Sequence, residues 1–90
     1  MYRPVKNRAT QDFWRCYKKL PKNTQRLADK CFALFKTDPS HPSLHFKKVG
    51  KLRSVRVGLN CRALAVAEKK NLIWFWIGNH DEYEKLIGVP

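Results

Sequence analysis

Acidic side chains are scarce in this chain: seven Asp and Glu face nineteen Lys and Arg in 90 residues, a formal net charge of +12. An excess of that size goes beyond what solubility requires and repels itself in a compact state, so a polyanionic partner is expected. Nucleic acid is the first candidate, an acidic protein the second, an anionic membrane surface the third. Long apolar runs are missing too. The longest, Leu72 to Ile77, has six residues, whereas a membrane span needs about 20. Near the N-terminus Arg3, Lys6 and Arg8 interrupt every apolar stretch, so no secretory leader is expected and the expected location is cytoplasmic. Cysteine is sparse, odd in number and widely spaced (Cys16, Cys31, Cys61), which suits reduced thiols rather than a disulfide frame. With no Cys-x-x-Cys and no His pair at ligand spacing, neither a metal site nor a cofactor is expected.

What is present is enough for one core. Eleven aromatics, among them Trp14, Trp74 and Trp76, supply the large apolar surfaces that offset chain entropy. The length suits a single domain over residues 1–90 rather than two. Residues 1–9 are basic and irregular and supply at most a short edge strand. Thr10 is a good N-cap, and Phe13, Tyr17 and Leu20 lie at the spacing of one helical face. Pro21 ends that helix. Asn23 or Thr24 caps a second, with Leu27, Cys31, Leu34 and Phe35 on its apolar stripe. From Thr37 to Ser43 two prolines in four residues forbid helix and ladder alike.

Beyond the loop the apolar period becomes two. Leu44, Phe46 and Val49 suggest one strand, Val55 and Val57 a second, Cys61 to Glu68 a third, and Leu72 to Ile77 a fourth. The last run is apolar on both faces and is expected at the centre of the sheet. Asn79 and Glu82 stand at capping-box spacing and open a short helix through Ile87. The expected fold is therefore α+β in two layers: an N-terminal helical hairpin on an antiparallel sheet of three or four strands, with a short C-terminal helix. Both hairpin helices should cover one face, leaving the face that bears Arg56 partly open.

At this point the residues resemble a known family. Leu20-Pro21, the run Asp38 to Leu44, Phe46-Lys47-Lys48, Ser54-Val55-Arg56-Val57, Cys61-Arg62-Ala63-Leu64 and Trp74 to Tyr83 look like the RelE/ParE toxin superfamily of bacterial type II toxin–antitoxin systems. No single piece is a strict signature; the ordered set carries the resemblance, from about residue 10 to residue 87. The resemblance implies a curved antiparallel sheet backed by a helical hairpin. It implies a toxin that inhibits translation by cleaving mRNA without metal, in association with the ribosome, and that is silenced by a co-expressed acidic antitoxin. Poisoning of DNA gyrase is the alternative within the superfamily, and a plain nucleic-acid-binding module is the alternative outside it.

Metal-free RNA cleavage needs a base for the 2′-OH, cations for the phosphorane and an acid for the leaving 5′-oxygen. Arg62 sits where the family keeps its strand arginine, and its guanidinium fork suits phosphate; an ion pair with Glu68 or Asp81 is the plainer role. Arg56 leaves its strand opposite Val55 and Val57, facing either solvent or the groove that the partly open sheet face offers a nucleic-acid strand. His80 is the histidine of the C-terminal segment and can act as acid or base. Tyr83, one helical turn on, can stack on a base or anchor the last helix. Lys47, Lys48, Lys51 and Arg53 are the candidate RNA-tracking cations, unbroken by any acid. His41 and His45 read as a loop residue and a strand-surface residue. The His80 segment departs from the Arg-rich stretch best known in RelE, which leaves the identity of the acid open.

Overall fold

The computed structural model describes residues 6–69 and 71–88, so residues 1–5 of the basic lead-in and Lys70 of the expected turn lie outside the described residues. The elements run β1 (Lys6–Ala9), α1 (Gln11–Lys18), α2 (Lys22–Thr37), a 3-10 turn (Pro42–Leu44), β2 (Lys47–Val49), β3 (Leu52–Val57), β4 (Cys61–Glu68), β5 (Asn71–Asn79) and α3 (His80–Ile87). They form the expected α+β arrangement, but the sheet has five strands, ordered β1-β5-β4-β3-β2, and is mixed. β1 pairs parallel with β5; every other neighbour is antiparallel. An edge strand reading Lys-Asn-Arg-Ala has no apolar alternation to betray it. It is held by its backbone ladder, by Thr10 N donating to Trp74 O (2.9 Å) and by Trp74 Nε1 donating to Asn7 Oδ1 (3.1 Å). The helical hairpin is thus the crossover between β1 and the antiparallel strands.

Thr10 caps α1 as expected, its Oγ1 accepting from Phe13 N at 3.1 Å. In α2 the cap is Pro21 rather than Asn23 or Thr24. A proline needs no donor there, its φ of −58° suits the entry, and its carbonyl accepts Gln25 N at 2.9 Å. The Gln25 amide then donates to Tyr17 O and Leu20 O, both at 3.1 Å, and so closes the hairpin. Ala28, Cys31 and Phe35 face the sheet; Leu27, expected there, is 47% exposed, because the smaller Ala28 takes the position of close approach.

The loop ends in the 3-10 turn, which puts Leu44 in the core without a strand and shortens β2 to three residues. β4, not β5, is the middle strand; Ala63, Leu64 and Ala65 are wholly buried. The doubly apolar run in β5 reflects a bulge instead. Leu64 pairs with Trp76 and Ala65 with Trp74, so Phe75 is an extra residue. Strict alternation would send Trp74 and Ile77 to opposite faces; with the bulge Leu72, Trp74 and Ile77 all join the core beneath the hairpin.

Trp74 meets Phe32 and Phe35 edge-on, with ring centroids 5.2 and 5.6 Å apart. Trp74→Ala is expected to cost about 3–5 kcal/mol, read as a lower denaturation midpoint in urea. Cys31 and Cys61 lie in the same core, and burial pushes both thiols up to about 11. Near neutral pH both stay protonated and shielded, so a thiol reagent should modify Cys16 alone in the native protein and all three cysteines once it is unfolded. Rapid labelling of all three in the native state would contradict this packing.

α3 is capped by Asn79, whose Oδ1 accepts from Glu82 N at 2.8 Å, and closes at Gly88 in the left-handed conformation. It packs on β4 and β5 through the buried Tyr83. The second face is therefore less open than its alternation suggests, with Ser54, Leu64 and Gly78 buried on it. Among the described residues, no helix is long and apolar enough to cross a membrane.

Candidate active site

The turn between β3 and β4 sets the site. Gly58, Leu59 and Asn60 join the strands, and Gly58 takes φ +69°, a conformation that favours glycine; a Cβ there would also meet Leu27 Cδ1 at 3.2 Å. This length of turn makes Val57 face Cys61, and the next rung is Arg56 facing Arg62. Paired residues on antiparallel strands share a face, with Cβ atoms about 4.5–5.5 Å apart, and like charges so placed destabilise the sheet. Among the described residues no carboxylate relieves them. Among the described residues the ion pairs are Arg15–Asp12 and His80–Glu84, so Arg62 takes neither Glu68 nor Asp81 as a partner.

The guanidinium groups are held mainly by backbone. Arg56 Nε donates to Gly58 O at 3.1 Å, and Arg62 NH1 to Cys61 O at 3.0 Å. Each guanidinium carries five N–H donors, so most remain to bind an anion. Arg62 also sits 6.0 Å from the centre of the Tyr83 ring, within reach of a cation–π contact.

On the β5 side of Arg62 its cross-strand partner is Gly78, over which the Trp76 indole folds, so that a Cβ at position 78 would collide with the ring. One residue past Asn79 comes His80, whose backbone N–H donates to Asn60 O at 2.8 Å and ties α3 to the β3–β4 turn. Its ring lies 5.7 Å from that of Tyr83, and its Nε2 lies 3.5 Å from Glu84 Oε1. The His80 side chain is 40% exposed, though its Nδ1 is buried and makes no hydrogen bond among the described residues.

Four sequence candidates are thereby brought together: Arg56 and Arg62 by strand register, Tyr83 and His80 through α3. Tyr83 serves as the anchor of α3, 3% exposed with its hydroxyl buried, and so forms the floor under Arg62 rather than an open stacking surface. The basic run is divided by the pleat. Lys47 pairs with Ser54 and shares the Arg56 face; Lys48 pairs with Arg53 on the other face, and Lys51 lies in the turn between β2 and β3.

His45 escaped the sequence reading. Alternation with Leu44 and Phe46 made it a strand residue, whereas it closes the 3-10 turn in the left-handed conformation (φ 45°) and brings Nε2 to 3.5 Å from Arg56 NH1. No spacing rule signals such a placement. His41 instead caps that turn, its Nδ1 accepting from Ser43 N at 3.2 Å. Among the described residues, no three His, Cys, Asp or Glu side chains cluster so as to hold a metal ion.

No protein-family model matches the chain, and no curated protein matches it. Solved structures do. A chain of the RelB–RelE antitoxin–toxin complex from Methanococcus jannaschii aligns over 92% of this chain and 99% of its own, with a TM-score of 0.70 at 15% identity. YafQ from E. coli strain BL21(DE3) aligns over 86% and 94%, with a TM-score of 0.69 at 12% identity. The archaeal RelE–RelB complex from Pyrococcus horikoshii OT3 aligns over 88% and 96%, with a TM-score of 0.59 at 16% identity. A helical hairpin crossing from a parallel edge strand to an antiparallel sheet, with two opposed arginines at its open end, is built here on the fold of the RelE-type toxins.

Proposed function

We propose that this chain is the toxin of a toxin–antitoxin pair and acts as a metal-independent endoribonuclease on mRNA, in association with the ribosome. The observation that carries the reading is the Arg56–Arg62 rung: two cations directly opposed, with neither paired to a carboxylate among the described residues, and with the Tyr83 ring between Arg62 and His80. A site that raises the folded state's own electrostatic energy is explained when its ligand is an anion. A phosphodiester fits, since two guanidinium forks can hold its non-bridging oxygens as charge builds toward the phosphorane.

In this reading Arg56 and Arg62 bind the scissile phosphate, and Tyr83 keeps Arg62 in place from below. His80, with its Nε2 proton oriented by Glu84, protonates the 5′-oxygen as the P–O5′ bond breaks. Lys47 extends the cationic face along the strand, while Lys48, Lys51 and Arg53 meet ribosomal RNA from the rim. The cations of α1 and α2 suit an acidic antitoxin; the solved RelE chains from Methanococcus jannaschii and Pyrococcus horikoshii OT3 are each in complex with RelB, the former described as an antitoxin–toxin complex. Purified chain in EDTA should cleave mRNA either free or on translating ribosomes. Intact RNA in both settings overturns the proposal.

A further inference from the structure

The geometry points to His45 as the general base of this site, an inference that rests on the ribonuclease reading above. In an in-line displacement the attacking 2′-oxygen and the leaving 5′-oxygen lie on opposite sides of phosphorus. A base and an acid must therefore flank the cations that hold the phosphate. Across the sheet the order is His45 beside Arg56 on β3, then Arg62 on β4, then His80 at the end of β5. Neighbouring strands lie about 4.8 Å apart, so the two imidazoles stand on opposite flanks of the arginine pair.

The partners of the two rings separate their roles. A guanidinium can only donate, so the His45 Nε2 that faces Arg56 NH1 presents a lone pair. At 3.5 Å the contact sits at the outer limit of a hydrogen bond and is readily given up to a substrate hydroxyl. His80 Nε2 faces a carboxylate, which can only accept, and so carries a proton. His45 is exposed, which leaves that lone pair open to a bound strand.

The step balances. His45 Nε2 takes the 2′-OH proton as the 2′-oxygen bonds to phosphorus; the P–O5′ bond breaks, and His80 Nε2 gives its proton to the 5′-oxygen. A 2′,3′-cyclic phosphate and a 5′-hydroxyl remain. Release then requires the proton to return from His45 to His80 through solvent.

The test uses His45→Asn in the full chain. Asparagine tolerates the left-handed conformation and keeps an acceptor for Arg56, but it cannot take up a proton. With RNA in the form the wild-type protein cleaves, kcat should fall roughly 10²-fold or more while KM and the thermal midpoint hold. A second substrate carries sulfur in place of the 5′-bridging oxygen at the cleaved bond, a leaving group that needs no acid. It should restore cleavage by His80→Ala and leave His45→Asn slow. Full activity of His45→Asn, or its rescue by the sulfur substrate, overturns the assignment while leaving the ribonuclease reading standing. Absence of cleavage by the wild-type chain is the distinct failure of that reading itself.

Discussion

Arg62→Ala is expected to lower RNA cleavage by about 10²–10³-fold, the usual cost of removing one preorganised donor from a developing oxyanion. The protein should nonetheless stay as stable as before. Two small effects oppose each other. Relief of the Arg56–Arg62 opposition favours the variant by about 0.2–1 kcal/mol. Loss of the Arg62 contact with the Tyr83 ring costs a similar ~0.5–1 kcal/mol. The net is close to zero, so the unfolding midpoint should move by no more than a few degrees in a domain of this size. Trp74→Ala is the contrast, since it acts on function only through the loss of stability. An Arg62→Ala protein that cleaves normally, or that unfolds under native conditions, would contradict the role given to the rung.

His80→Ala should reduce the chemical step by about 10²–10⁴-fold while leaving RNA affinity nearly intact, because the proposed site assigns the phosphate to the arginines. The structural cost is small. The His80–Glu84 contact is an i,i+4 pair with both side chains more than a third exposed, and such pairs contribute a few tenths of a kcal/mol at most. The backbone bond from His80 N to Asn60 O survives the substitution, so α3 keeps its tie to the β3–β4 turn. Single-turnover cleavage, measured beside a binding titration on uncleavable RNA, separates the two effects. Equal loss of binding and rate would place His80 among the phosphate ligands instead.

Much of the site can be read in the sequence because it depends on local chemistry. Arg56 alternates with Val55 and Val57, Asn79 stands three residues before Glu82, and the short Gly58-Leu59-Asn60 turn fixes which arginine faces which. What escapes is what only long-range pairing decides. β1 lies parallel to β5 through backbone bonds that any side chains permit. The bulge at Phe75 inverts the face of every residue before it in β5, and no local pattern separates that from a strand apolar on both sides. His45 reaches Arg56 only because a 3-10 turn ends in a left-handed residue, and the pleat, not the charge run, selects Lys47 over Lys48.

In the proposed reaction a ribose 2′-OH attacks, without metal, a phosphate held between Arg56 and Arg62. The most direct measurement replaces the single 2′-OH at the cleaved nucleotide with hydrogen and follows cleavage by the wild-type protein in EDTA. Cleavage at that bond should cease, while the unsubstituted RNA yields 2′,3′-cyclic phosphate and 5′-hydroxyl ends. Undiminished cleavage of the deoxy substrate, or ends bearing 3′-hydroxyl and 5′-phosphate, would contradict it.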